Sequence, residues 1–197
     1  MSINHWFSVP VSIEYNLKLA QDIRPIANDI LSKKDNLNES LSYSAGENAR
    51  ITLNKTDSTK DIRLVEVKNY LFNLCKEYLR LTGYDDSLSY DTSRLFFNNL
   101  GYNGSQNSHI HNLSPVSAVF YIDVDKGSAP LVVETPLNTL NFTFGGRIRN
   151  INNNNSQSIM IPPDNGTIVI APGWLRHSVP TNYTTNRITL AFVGYYT

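Results

Sequence analysis

GTIVIAPGWLRHSVPTNYTTNRITLAF, residues 166–192, decides how the rest of this 197-residue chain is read. It holds two short runs rich in β-branched and aromatic residues, TIVIA and RITLAF, separated by a Pro-Gly turn and a polar stretch. Runs of this length bounded by Gly, Pro and Asn are strands rather than helices. Alternation along the second puts Arg187 and Thr189 on one face and Ile188 and Leu190 on the other. Ile188 and Leu190 call for a core, so the Arg187 face should line something as well. A guanidinium beside a hydroxyl on an interior wall suits a carboxylate, which the arginine fork grips bidentately. The plainer reading of Arg187 is a surface ion pair.

The same texture spreads outward from this stretch. From about residue 88 onward SLSYDTSRLFFNNL, SAVFYIDV, APLVVE, LNFTF, SQSIMIP, GTIVIAP and RITLAFVGYY are short, apolar and punctuated by Gly, Pro and Asn. Such a series predicts an antiparallel sandwich or barrel. The insert RIRNINNNNSQS reads as a solvated hairpin loop. Upstream, SIEYNLKLAQDIRPIANDILSKKD has helical spacing and predicts one or two short helices, with Pro25 near a first turn or marking a break. LSYSAGENARITLNKT reads as strand material around a Gly-Glu-Asn turn. In DIRLVEVKNYLFNLCKEYLRLTGYDD, Leu64, Val67, Tyr70, Leu71, Leu74, Tyr78 and Leu81 form one stripe, and Gly83 sits where a helix cap belongs. One domain over 1–197 is expected, with 1–87 a helical and strand support layer and 88–197 the β core.

Composition narrows the function classes. Seventeen basic residues balance seventeen acidic ones, without the surplus that phosphate-gripping proteins carry. A lone cysteine, Cys75, excludes an internal disulfide framework and reads as a small buried hydrophobe. MSINHWFSVP lacks the basic and apolar regions of a signal peptide, and no run approaches the ~18 apolar residues of a membrane span. A cytoplasmic location is expected.

Two of the four histidines stand two positions apart in NSHIHNLSPVSAVFYIDV, residues 107–124. On an extended strand His109 and His111 project together, and two imidazoles so placed can reach one divalent cation. The pair alone is a weak signal, equally compatible with hydrogen-bonded surface histidines. His177 follows a strand and a Pro-Gly turn, with Arg187 ten residues beyond it. That combination is far rarer.

In order and spacing, LFFNNLGYNGSQNSHIHN, AVFYIDV, PGWLRHSVPTN and NRITLAF resemble the 2-oxoglutarate/Fe(II)-dependent oxygenases, and more narrowly the oxygenase family of marine bacteria and cyanophages. The resemblance covers most of residues 65–195. It implies a mainly β chain with N-terminal helices, built on a double-stranded β-helix (a jelly-roll, cupin-like barrel), with Fe(II) and 2-oxoglutarate as cofactors. Carried over by position, His109 and His177 become iron ligands, and Arg187 and Thr189 hold the 2-oxoglutarate tail. Tyr121, Phe120 and Trp174 are aromatic candidates for the cavity walls, Tyr121 for the co-substrate; plain core packing is at least as good a reading. A viral source would make the location the host cytoplasm.

The chain departs from the family pattern at one point: His111 stands where a carboxylate ligand is usual. Three neutral imidazoles leave the site one negative charge poorer. His109, His111 and His177 are expected as a facial set. Two alternatives stay open: His111 behind the ligands, orienting a water or co-substrate oxygen, or a carboxylate supplied by Asp123, Asp125 or Glu134. The expected activity is hydroxylation of a small molecule or protein side chain. A three-histidine dioxygenase that ignores the keto acid, or a non-catalytic jelly-roll binding or structural module, would share many of these features. A membrane role is not expected, and a nucleic-acid one is disfavoured by the charge balance.

Overall fold

The computed structural model describes residues 8–33, 44–45, 49–52, 61–136 and 156–197. His5, the LNFTF run and most of the Asn-rich insert lie outside the described residues. In chain order the elements are β1 (Ser12–Tyr15), α1 (Leu17–Ser32), β2 (Ser44–Ala45), β3 (Ala49–Ile51), a short 3-10 turn (Ile62–Leu64), α2 (Val65–Leu81), β4 (Leu88–Leu100), β5 (Ser105–His109), β6 (Val116–Val124), β7 (Leu131–Glu134), β8 (Ser158–Ile161), β9 (Thr167–Ala171), β10 (His177–Val179) and β11 (Arg187–Tyr196). The strands make two antiparallel sheets, a larger one ordered β1-β9-β6-β11-β4-β3 and a smaller one ordered β2-β5-β10-β7-β8. From β4 to β11 the described strands pass back and forth between the sheets, apart from β7 and β8, which pair within the smaller one, as in a double-stranded β-helix. The fold class expected from the sequence is the one found.

The central strands of the larger sheet, β4, β6, β9 and β11, bury residues on both faces. Ile188, Leu190 and Phe192 pack with Phe97, Phe120 and Ile122 against the helices, through Leu19, Ile23, Ala27 and Ile30 of α1 and Val67, Leu71 and Cys75 of α2. The opposite face looks into the barrel, where Leu100, Tyr121, Leu131, Ile161, Val169 and Val179 cluster. Phe120 therefore belongs to the helix side and is not a cavity wall. Cys75 is fully buried, and burial pushes its thiol far above the ordinary range, which suits a core residue and not a nucleophile.

The N-terminal segment departs from expectation. SIEY is a strand, pairing with β9 from Ser12 opposite Ile170 to Tyr15 opposite Thr167. The helix that follows is a single one of 16 residues and runs through Pro25. Proline removes one backbone bond there, but Ile23 and Ala27 on either side, 3% and 0% exposed, hold the turn against the sheet. Asn16 caps the start, its Oδ1 accepting from the Leu19 amide at 3.0 Å. Helix α2 ends as its sequence suggests: Tyr84 N donates to Leu79 O at 2.9 Å and Gly83, at φ +80°, donates to Arg80 O, a Schellman cap. Leu81 leaves the stripe and is exposed. Among the described residues no helix is long and apolar enough to cross a membrane.

Candidate metal centre

His109 ends β5, His177 begins β10, and the two are direct partners in the antiparallel ladder, with Val133 of β7 on the far side of His177. Partners in a ladder share a face, so both imidazoles project together. His111 arrives differently. It lies past the end of β5, in the turn that leads to β6, and its backbone places it: His111 N donates to Gly173 O at 2.8 Å. Gly173 N returns a bond to Pro115 O at 3.3 Å. A Cβ on Gly173 would stand 2.3 Å from Ser114 O, so only glycine lets these two turns close on each other. The expectation of two histidines sharing one strand face is thus right about their proximity and wrong about its cause.

The three rings meet. Their centroids are 4.4 Å apart for His109 and His177, 5.1 Å for His111 and His177, and 5.3 Å for His109 and His111. One ring nitrogen from each lies within 4.8 Å of the others, and all three residues are half-buried. Nδ1 of His109 bonds Asn107 O and Nδ1 of His177 bonds Leu175 O, both at 2.8 Å. A carbonyl only accepts, so each Nδ1 carries the proton and each Nε2 is the unprotonated nitrogen, the form that can ligate a metal. Burial, above all, lowers the proton affinity of all three, to about 3 for His111 and about 4 for His177, where neighbouring imidazoles add to it, while at His109 the Arg176 charge does. Each ring is therefore neutral at pH 7, the form that binds a metal.

The alternative carboxylates are occupied elsewhere. Asp123 pairs with Arg24 of α1 at 3.0 Å and accepts from Asn186 Nδ2. Asp125 accepts from Thr185 and from the Asn186 amide. Glu134 accepts from the Ser108 hydroxyl. Glu134 raises the proton affinity of His177 slightly but is outside the cluster.

Deeper in the barrel, Arg187 is 1% exposed, with its Nε donating to Ala129 O at 2.8 Å. Its guanidinium carbon sits 5.4 Å from the centre of the Tyr121 ring. Burial lowers the arginine from its ordinary value and raises the tyrosine, each group's contact with the other opposing the shift, and among the described residues Arg187 Nη2 and Tyr121 Oη have no other hydrogen-bond partner. Among the described residues no carboxylate pairs with Arg187. A β-bulge between Ile188 and Thr189 on the β6 side brings Tyr121 and Val124, three residues apart, to the same inner face. Thr189 is opposite Tyr121 on one side and Asn98 on the other, and is 2% exposed. Asn98 was not legible as a site residue; only its place on the inner face and its unpartnered Oδ1 mark it. Trp174, expected as a wall, is 45% exposed on the Pro-Gly turn.

These residues fit the two groups expected. Imidazoles suit first-row divalent ions such as iron, and a buried arginine without an anion, beside an unpartnered phenol and a hydroxyl, suits a carboxylate.

A family model described as "Putative 2OG-Fe(II) oxygenase" matches residues 94–193. No curated protein matches the sequence. Among solved structures, a Pseudomonas putida prolyl-4-hydroxylase is similar at 13% identity and TM-score 0.65, over 96% of this chain and 94% of that one. A Trichoplax adhaerens prolyl hydroxylase, in complex with a hypoxia inducible factor peptide fragment, is similar at 13% identity and TM-score 0.59, over 93% and 83%. A non-haem α-ketoglutarate-dependent epimerase of nogalamycin biosynthesis is similar at 11% identity and TM-score 0.64, over 95% and 78%.

Proposed function

The chain belongs to the 2-oxoglutarate- and Fe(II)-dependent oxygenase family, and from that premise we propose that it is a hydroxylase in which His109, His111 and His177 hold the iron while Arg187, Thr189 and Tyr121 hold 2-oxoglutarate. The observation that carries this reading is Arg187: a buried guanidinium with, among the described residues, an unsatisfied Nη2 and no acid beside it. Burying an uncompensated charge is costly, and a fold keeps one where a ligand supplies the counter-charge. When bound, Fe(II) and 2-oxoglutarate together activate dioxygen, one oxygen atom entering succinate as carbon dioxide leaves and the other entering a substrate C–H bond.

The chain's own groups prepare for this. The Asn107 and Leu175 carbonyls fix the tautomers of His109 and His177, so two lone pairs are aimed before any ion arrives. Ala129 O holds Arg187 Nε and leaves the outer nitrogens to donate to a carboxylate. Tyr121 Oη and the Thr189 hydroxyl donate beside it. Leu131, Ile161, Val169 and Val179 keep water from that end of the barrel. We take the substrate to be a small molecule or a protein side chain, the latter suggested by the peptide in the Trichoplax complex. We take residues 1–197 as one cytoplasmic domain, 1–87 supporting the barrel of 88–197. Among the described residues no carboxylate joins the three-imidazole cluster, which favours one other reading, a three-histidine dioxygenase without 2-oxoglutarate.

A single titration separates the two. Anaerobic Fe(II) followed by 2-oxoglutarate should raise a visible metal-to-ligand charge-transfer band, and succinate should form once oxygen is admitted. Arg187→Met should weaken keto-acid binding by about a hundredfold, through loss of a charge-assisted bidentate contact worth about 3 kcal/mol. Iron binding with no such band would leave the three-histidine dioxygenase.

A further inference from the structure

The metal cluster and the arginine pocket share one property: among the described residues neither contains an anion, the nearest acid to the cluster being Glu134, felt by His177 but outside it. The cluster is three imidazoles, Arg187 has no acidic partner among the described residues, and Asp123, Asp125 and Glu134 are bonded elsewhere. The described residues thus prepare two positive centres, a site for a divalent ion and a guanidinium, and place no carboxylate on either. Imidazoles give the ion lone pairs but no net charge. A half-buried setting strengthens the pull of both centres on a shared anion well beyond its value in water.

Resting on the functional reading above, we propose that His111 makes metal binding conditional on the keto acid. The ion is held weakly alone and tightly together with a dianionic 2-oxo acid, one carboxylate on the metal and the other on Arg187. A carboxylate at position 111 would reverse both halves of this. It would remove one charge from the ion, retain the ion better by itself, and repel the incoming dianion. The coupling is reciprocal, since whatever the keto acid adds to metal affinity the metal adds to keto-acid affinity. His111 is in this sense the residue that sets co-substrate dependence, and iron without keto acid is readily surrendered.

The test is calorimetric binding of Mn(II), a redox-stable probe, to the full chain with and without saturating 2-oxoglutarate. The wild type should bind Mn(II) about a hundredfold more tightly with the keto acid, near the upper end of ordinary coupling. Glutarate, lacking the keto oxygen, and pyruvate, lacking the distal carboxylate, should each give a small part of that gain. In His111→Asp, Mn(II) should bind more tightly alone and the gain should shrink to about tenfold or less. If His111→Asp melts before it can be titrated, His111→Gln, which stays neutral, should keep the large gain; its loss there would overturn the proposal. An unchanged gain in His111→Asp would overturn it too. Mn(II) binding that needs His109 and His177 yet ignores 2-oxoglutarate would overturn the coupling and leave the metal centre standing. No Mn(II) binding under either condition would remove the centre and this inference together.

Discussion

At the scale of single residues, the histidines tie the site to the stability of the fold. An imidazole in the unfolded chain titrates near 6.5, whereas burial holds His111 at about 3 and His177 at about 4. Above pH 7 both states are neutral and nothing is lost. As pH falls from about 6.5 the unfolded chain takes up protons that the folded chain refuses, so stability declines and levels off only below the folded values. The melting temperature of metal-free protein should therefore drop between about pH 6.5 and 4. The drop should be shallower in His111→Phe, which isolates the imidazole from the carboxylates that titrate lower down. Equal slopes in calorimetry would contradict this. The unperturbed histidine value suggests metal affinity that fails below about pH 6.5. With burial lowering the proton affinity of all three rings, metal affinity should instead persist somewhat below pH 6.5 before protonation removes it.

At the scale of elements, what the sequence revealed depended on burial. β4, β6, β9 and β11 are legible because their apolar residues are buried on both faces of the sheet. SQNSH and HSV, the strands β5 and β10 that carry His109 and His177, look like loop: they are short, polar and half-exposed, and their pairing is set by neighbours rather than by alternation. The candidate site was nevertheless visible through residue type and spacing, and five of its residues needed only the order of the chain. Asn98 was hidden because an asparagine among FFNN looks like punctuation until its strand is assigned a face. His111 was found for an insufficient reason, since a turn and not a strand aims it. That turn supplies its own prediction. Gly173→Ala forces a Cβ to within 2.3 Å of Ser114 O. It should cost about 1–3 kcal/mol in thermal unfolding and weaken Mn(II) binding by about tenfold or more. Intact metal affinity in a folded Gly173→Ala protein would mean that His111 is positioned by something else.

At the scale of the molecule, the barrel is closed around polar groups as much as around apolar ones. Asn182 is fully buried: its Nδ2 donates to Leu100 O at 2.6 Å and Thr184 O at 2.9 Å, and its Oδ1 accepts from Ala129 N at 3.0 Å. Ala129 O in turn holds Arg187. Asn182→Ala should cost about 3 kcal/mol by orphaning these groups, lowering the melting temperature by roughly 6–12 °C. It should also raise the keto-acid dissociation constant while leaving Mn(II) binding without keto acid unchanged; a parallel loss of both would point to general loosening. The meeting of two turns at Gly173 has a different reach. The imidazoles are aligned by main chain against main chain, so the side chains that crown them, Leu113 at 94% exposure and Trp174 at 45%, carry none of that duty. Such a rim can change residue by residue while the two turns beneath it keep the imidazoles aimed.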